Sequence, residues 1–133
     1  MTLASERYMR LTTYRRDGRG VSTPVWVVEL GGNEVGFWTS SESGKIKRLR
    51  HTSRVTVQAC NGRGTAKPGS AAVEATARIV TGPELDGLRR RVIAKYGFQT
   101  KLTKVIARIA GRLQGKSMPY GDVGIVITLP DGA

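Results

Sequence analysis

The 133-residue sequence contains one cysteine and one histidine, and both scarcities exclude chemistry. Cys60 has no second cysteine for an intramolecular disulfide, and at the end of Val55-Thr56-Val57-Gln58-Ala59 it reads as a small buried hydrophobe. His51, the only imidazole, sits in a basic segment and could partner Cys60 only by chance, so a catalytic thiol, a zinc site and histidine-centred acid–base chemistry all lack residues. Acids are also few: ten Asp and Glu face 22 Lys and Arg, giving a net charge of +12 and a pI near 10.7. Such an excess points to anionic partners, either a polyanion or a highly charged small molecule. No apolar run approaches the ~20 residues of a membrane span, and Met-Thr-Leu-Ala-Ser-Glu-Arg has no signal-peptide core. The expectation is a cytoplasmic protein with no membrane partner, folded as one domain over residues 1–133 with room for a genuine core.

What the chain does have is a series of β-forming runs. Met9 to Tyr14 and Val21 to Leu30 flank Arg16-Asp17-Gly18-Arg19-Gly20, and the Asp-Gly pair makes the two a hairpin. Pro24 cannot donate a ladder hydrogen bond, so the second strand should be irregular or edge-like there, with room for something to approach its backbone. Further strands are expected at Val35–Thr39, Val55–Cys60, Ala71–Val80 and Gly124–Leu129, making six. Gly82-Pro83-Glu84 opens a helix on which Leu85, Leu88, Val92 and Tyr96 recur at helical spacing, with Gly97 as its stop. A second helix follows from Gln99 to Leu113, with Leu102, Val105, Ile106, Ile109 and Leu113 on one face and Lys101, Lys104, Arg108 and Arg112 on another. Six strands with helices inserted late predict an antiparallel, mainly β, α+β domain built as a small barrel.

The most informative segment runs from Ser43 to Arg54, Ser-Gly-Lys-Ile-Lys-Arg-Leu-Arg-His-Thr-Ser-Arg, directly after a strand and without a single acid. A helix start leaves backbone N–H groups pointing outward and carries partial positive charge, so Lys45 and Lys47 can close over an anion such as a phosphate. The plainer alternative for Lys45, Lys47 and Arg48 is a solvated helix face. Two other patterns mislead. Ala110-Gly-Arg-Leu-Gln-Gly-Lys-Ser117 fits a relaxed phosphate-loop pattern, but it overlaps the end of an amphipathic helix instead of following a strand. The Gly18–Gly20 cluster belongs to a hairpin, so no dinucleotide fingerprint exists. Nucleic-acid binding is a distant alternative, since the aromatics do not interleave with the cations and those inside strands belong to a core.

The hairpin, the Thr23-Pro24-Val25-Trp26 strand, the Thr39 strand end, the Gly44-Lys45-Ile46-Lys47-Arg48-Leu49-Arg50 helix and the Arg54-Val55-Thr56-Val57 strand together resemble the split β-barrel flavin and deazaflavin oxidoreductases, the superfamily of pyridoxamine phosphate oxidase. Leu11 to Arg19, Asn61-Gly62-Arg63-Gly64 and Lys95-Tyr96-Gly97 look most like the group that uses coenzyme F420. The resemblance implies an antiparallel six-stranded split barrel of the FMN-binding type with flanking helices, assembled as a homodimer with two cofactor sites at the interface. It implies hydride transfer between the reduced deazaflavin and an unsaturated small-molecule substrate. Carried onto this chain, Thr39, Ser43, Gly44 and Lys45 would surround the cofactor phosphate with Lys47 and Arg48 nearby, and Thr23, Pro24, Val25 and Trp26 would lie beside the ring. Arg63 would complete the site from either subunit, and the basic surface could receive the coenzyme's oligoglutamate tail. Thr52-Ser53 stands where many relatives have Asp-Pro, which leaves the turn polar. An FMN-dependent enzyme of the same fold and a non-catalytic flavin-binding protein remain alternatives, and Tyr14, Arg16 or solvent are the candidate proton sources, with Tyr14 better explained by packing.

Overall fold

The computed structural model describes residues 3–96 and 122–130. After a 3-10 turn at Leu3–Ser5, strands β1 (Tyr8–Tyr14) and β2 (Gly20–Trp26) form the expected hairpin. Its turn closes through Gly18, whose φ of 90° is strained for any residue with a Cβ, and Asp17 accepts both the backbone N–H and the Nε–H of Arg19. Along β1, Met9, Leu11 and Thr13 are buried while Tyr8, Arg10, Thr12 and Tyr14 occupy the opposite, half-exposed face.

The single strand expected from Val21 to Leu30 is in fact two, β2 and β3 (Val28–Gly31), separated at Val27. The cause is an interaction that local sequence cannot reveal. Val27 donates its N–H to the Tyr96 hydroxyl at 2.9 Å, and its carbonyl oxygen accepts from Lys95 Nζ at 2.6 Å, so both backbone groups are taken by a helix 69 residues away in sequence. The strand count among the described residues is therefore seven.

The remaining strands are β4 (Glu34–Thr39), β5 (Arg54–Cys60), β6 (Val73–Val80) and β7 (Val123–Thr128), with helix α1 (Gly44–Leu49) after β4 and α2 (Gly82–Tyr96) after β6. One antiparallel sheet runs in the order β2-β1-β5-β6-β7-β4-β3. The consecutive strands β2 and β3 thus lie at opposite edges. Only a sheet that curls until its edges meet can join them through one residue, and the result is a split β-barrel. Pro24 lies on the edge strand β2, where its missing N–H breaks no ladder.

Two apolar clusters fill the structure. Inside the curl, Met9, Leu11, Phe37, Val57, Ile125 and Ile127 pack together, and Ile46 and Leu49 of α1 close them off. Outside it, Leu85, Leu88, Val92 and Tyr96 of α2 cover Val28, Val80 and Val126, so the helical spacing read from sequence is the buried face. Each such side chain contributes about 1.5–3 kcal/mol when fully buried. Because β7 is covered on both sides, five of its six residues are buried and the strand reads as an unbroken apolar run. The second helix expected over Gln99–Leu113, the stop at Gly97 and the Ala110–Ser117 motif lie outside the described residues. Among the described residues no helix is long and apolar enough to cross a membrane, and no group of three or more metal-ligating side chains occurs.

Candidate functional site

A cleft of about 390 Å³ opens where the C-terminal ends of β2 and β4 come together. Its walls are Trp26, Trp38, Phe37, Val25 and Pro24, and Tyr8 and Gly62 close one side. The indole of Trp26 is not free to rotate, because its far face stacks on Tyr96 at 4.6 Å between ring centroids with the planes 10° apart. Thr39, Ser40 and Lys45 form the polar end. A half-buried space of this size, apolar with a few convergent polar groups, is the usual form of a site for a small organic ligand or cofactor.

Lys45 supplies the charge. It is half-buried, and its pKa is lowered first by desolvation and then by the neighbouring Arg48 guanidinium. No carboxylate among the described residues pairs with it. A cation held out of water without a counter-ion is costly unless an anion arrives, so Lys45 is built for a negatively charged ligand.

The loop that delivers Lys45 is fixed from below. Asp122, one residue before β7, accepts the Ser41 N–H at 2.7 Å and the Ser41 hydroxyl at 2.5 Å. Burial alone would raise the Asp122 pKa, but these hydrogen bonds outweigh it and hold the carboxyl below its ordinary value. Ser43 occupies the N-cap of α1, yet its side chain makes no capping bond; its Oγ instead accepts a 3.4 Å hydrogen bond from the Thr39 hydroxyl.

The residues singled out from sequence thus divide. Pro24, Val25, Trp26, Thr39 and Lys45 meet in the cleft. Ser43 touches it through the Thr39 hydroxyl and through its own N–H, which the Ser40 carbonyl accepts at 3.0 Å, and Gly44, Lys47 and Arg48 do not line it. Lys47 is exposed, whereas Arg48 turns its Nε toward Thr13 Oγ1 at 2.5 Å and lays its guanidinium over Gly44, where a Cβ would meet Nη1 at 2.7 Å. Thr23 and Arg63 line a second cleft of about 530 Å³ that shares Pro24 with the first. Tyr14 bonds Thr56 at 2.5 Å beneath the Arg54 guanidinium, and Arg16 donates toward the His51 ring, so neither proton-source candidate lines either cleft.

Tyr8, Phe37, Trp38, Ser40 and Gly62 were missed by sequence reasoning. Trp38 immediately precedes Thr39 and Ser40 at the strand end, so the signal was the strand terminus itself. Tyr8 carried no local cue: it reaches the cleft because β1 pairs it with Trp26 on one side and Cys60 on the other.

A family model described as pyridoxamine 5'-phosphate oxidase matches residues 2–117. No curated protein is significantly similar to the chain. Among solved structures, an F420 reductase is 17% identical, with 98% of this chain and 91% of that one covered at a TM-score of 0.54. A pyridoxamine 5'-phosphate oxidase-related, FMN-binding protein from Nostoc punctiforme is 16% identical, with 96% and 72% covered at 0.55. The heme storage protein of Vibrio cholerae is 16% identical, with 97% and 84% covered at 0.58. Structures this distant share the fold with this chain while their own ligands differ.

Proposed function

The chain belongs to the pyridoxamine 5'-phosphate oxidase family, and on that premise we propose that it is an oxidoreductase using coenzyme F420, with FMN as the alternative occupant of the same cleft. The observation that carries the reading is Lys45, a half-buried cation without an acidic partner among the described residues, at the polar end of a tryptophan-walled cleft. A planar, phosphorylated cofactor satisfies both halves of that site at once. When bound, it would supply hydride transfer to an unsaturated small molecule.

The chain's own residues provide position and charge. Lys45, Thr39 and Ser40 would hold the phosphate end through charge-assisted and neutral hydrogen bonds. Trp26, braced by Tyr96, and Trp38 would hold the ring, and the edge strand β2 that carries Pro24 would offer backbone groups to its edge. His51 lies outside the cleft beside Arg16, so among the described residues no imidazole faces the cleft to ligate a haem iron. The reading includes a cytoplasmic homodimer in which a second subunit covers the open cleft.

Titration of the purified protein with oxidised F420, FMN and haem separates these readings. Binding of F420 in preference to FMN is expected, and failure to bind either removes the oxidoreductase assignment. Light scattering should give twice the 14.4 kDa chain mass.

A further inference from the structure

The second cleft differs in chemistry from the first. Arg10 and Arg63 both line it, Ser22, Thr23 and Thr65 add hydroxyls, and among the described residues no acid contributes to its wall. Neither arginine forms a salt bridge with any described carboxylate. Both are placed by rigid parts. Arg10 stands in the middle of β1, paired with Pro24 on one side and Gln58 on the other. Arg63 rides on a tight loop in which the Asn61 carbonyl oxygen Oδ1 accepts the N–H groups of Arg63 at 2.9 Å and Thr65 at 3.0 Å. Gly64, at φ 85°, brings this loop against the Pro24 ring, 3.3 Å from where a Cβ would be. Two guanidinium groups and three hydroxyls around one space offer the planar, forked donor set that a carboxylate accepts.

We infer that the Arg10–Arg63 cleft is a carboxylate site and that the molecule reduced at the neighbouring ring cleft is an unsaturated carboxylic acid, one carbon of its double bond taking a hydride from the reduced cofactor, which is thereby oxidised, and the other a proton from solvent. This rests on the oxidoreductase reading above and moves Arg63 from the cofactor to the substrate. Pro24 lines both clefts, so a compact substrate anchored by its carboxylate at the arginines can place its double bond beside the ring. Lys45 belongs to the first cleft alone. A cofactor tail attached through the phosphate held by Lys45 would leave from that end, and this favours the substrate as the source of the carboxylate.

Cinnamate, a small unsaturated carboxylate, and its uncharged methyl ester are the probes, read by quenching of tryptophan fluorescence in the wild type, Arg10→Gln and Arg63→Gln. Cinnamate should bind at least about tenfold more tightly than the ester, and each variant should erase most of that preference. Arg10→Gln should bind F420 and FMN as the wild type does. Equal binding of acid and ester, or variants that keep the full preference, would overturn the carboxylate site. Loss of F420 affinity in Arg10→Gln that disappears when the cofactor lacks its glutamyl tail would overturn the substrate assignment, because the carboxylates would then be the cofactor's. Cinnamate discrimination in a protein that binds neither cofactor would retain the anion site and remove only the redox reading. Arg63 lies on an exposed loop, so Arg63→Gln serves as the test if Arg10→Gln lowers the melting temperature.

Discussion

Tyr96 stacks on Trp26 and, through its hydroxyl, holds Val27, so one side chain at the end of α2 fixes both a wall of the cleft and the corner where the sheet splits. The hydroxyl accepts from the Val27 N–H at 2.9 Å and lies 2.7 Å from the carbonyl oxygens of Val27 and Arg7, one of which takes its single proton. Tyr96→Phe would keep the ring stack and strand a buried N–H. The expected loss is about 1–3 kcal/mol of unfolding free energy, measured by urea denaturation, with weaker cofactor binding if Trp26 loosens.

The same hydroxyl predicts an alkaline signature. Burial, opposed by the Val27 hydrogen bond, pushes the Tyr96 pKa up from 10.0 to about 12. Between those values the unfolded chain loses this proton while the folded protein keeps it, so stability falls as pH rises, and is complete below pH 10. The slope should reach about 1.4 kcal/mol per pH unit. Lys95, whose pKa is lowered chiefly by desolvation, acts with the opposite sign, so the difference between wild type and Tyr96→Phe is the quantity to measure. A pH-independent difference from 9 to 12 would mean that the phenol is not shielded.

Gly36 is a point of close approach. On β4, between Val28 and Val126, an added Cβ would meet Leu88 Cδ1 at 2.6 Å, Leu30 Cδ1 at 2.8 Å and the Ile125 carbonyl oxygen at 3.0 Å. The leucine tips can shift, but the backbone oxygen cannot without moving β7. Gly36→Ala should cost about 1–3 kcal/mol, seen as a lower urea midpoint with an unchanged m-value.

The sheet and its core were largely legible in the sequence because alternation and helical spacing are local. Met9 and Leu11 declare an inward face, and Leu85, Leu88, Val92 and Tyr96 declare a buried stripe. The break at Val27 was not legible, since it depends on a hydroxyl 69 residues away. The site was legible in part for the same reason. Lys45 and Thr39 lie close together in sequence and in space, whereas Tyr8 enters only through strand pairing, and the Arg48 guanidinium turns to Thr13 through a contact across 35 residues.

Asp122 should act on the site without touching a ligand. Its carboxylate holds Ser41, four residues before Lys45, and its hydrogen bonds are charge-assisted. Asp122→Ala should cost about 1.5–3 kcal/mol in stability and lower cofactor affinity through a less ordered Ser40–Lys45 segment. Since the folded pKa is depressed, this contribution is present above the unfolded value of 3.8 and is lost as pH falls through the folded one, so the wild type and Asp122→Ala should converge in stability at acid pH.

Lys45 makes the sharpest prediction, because its effects on stability and on binding have opposite signs. In the ligand-free protein its charge is desolvated and repelled by Arg48, so Lys45→Met should leave the apo protein at least as stable as wild type. The same substitution should weaken binding of a phosphorylated cofactor by about 1–3 kcal/mol, the cost of a lost charge-assisted hydrogen bond. The lowered pKa adds a pH test: the free protein begins to lose the ammonium below the ordinary lysine value of 10.5, so cofactor affinity should decline with rising alkalinity in the wild type and stay flatter in Lys45→Met. A variant that is destabilised in the apo state yet binds cofactor normally would show that Lys45 serves the fold and that the anion is held elsewhere.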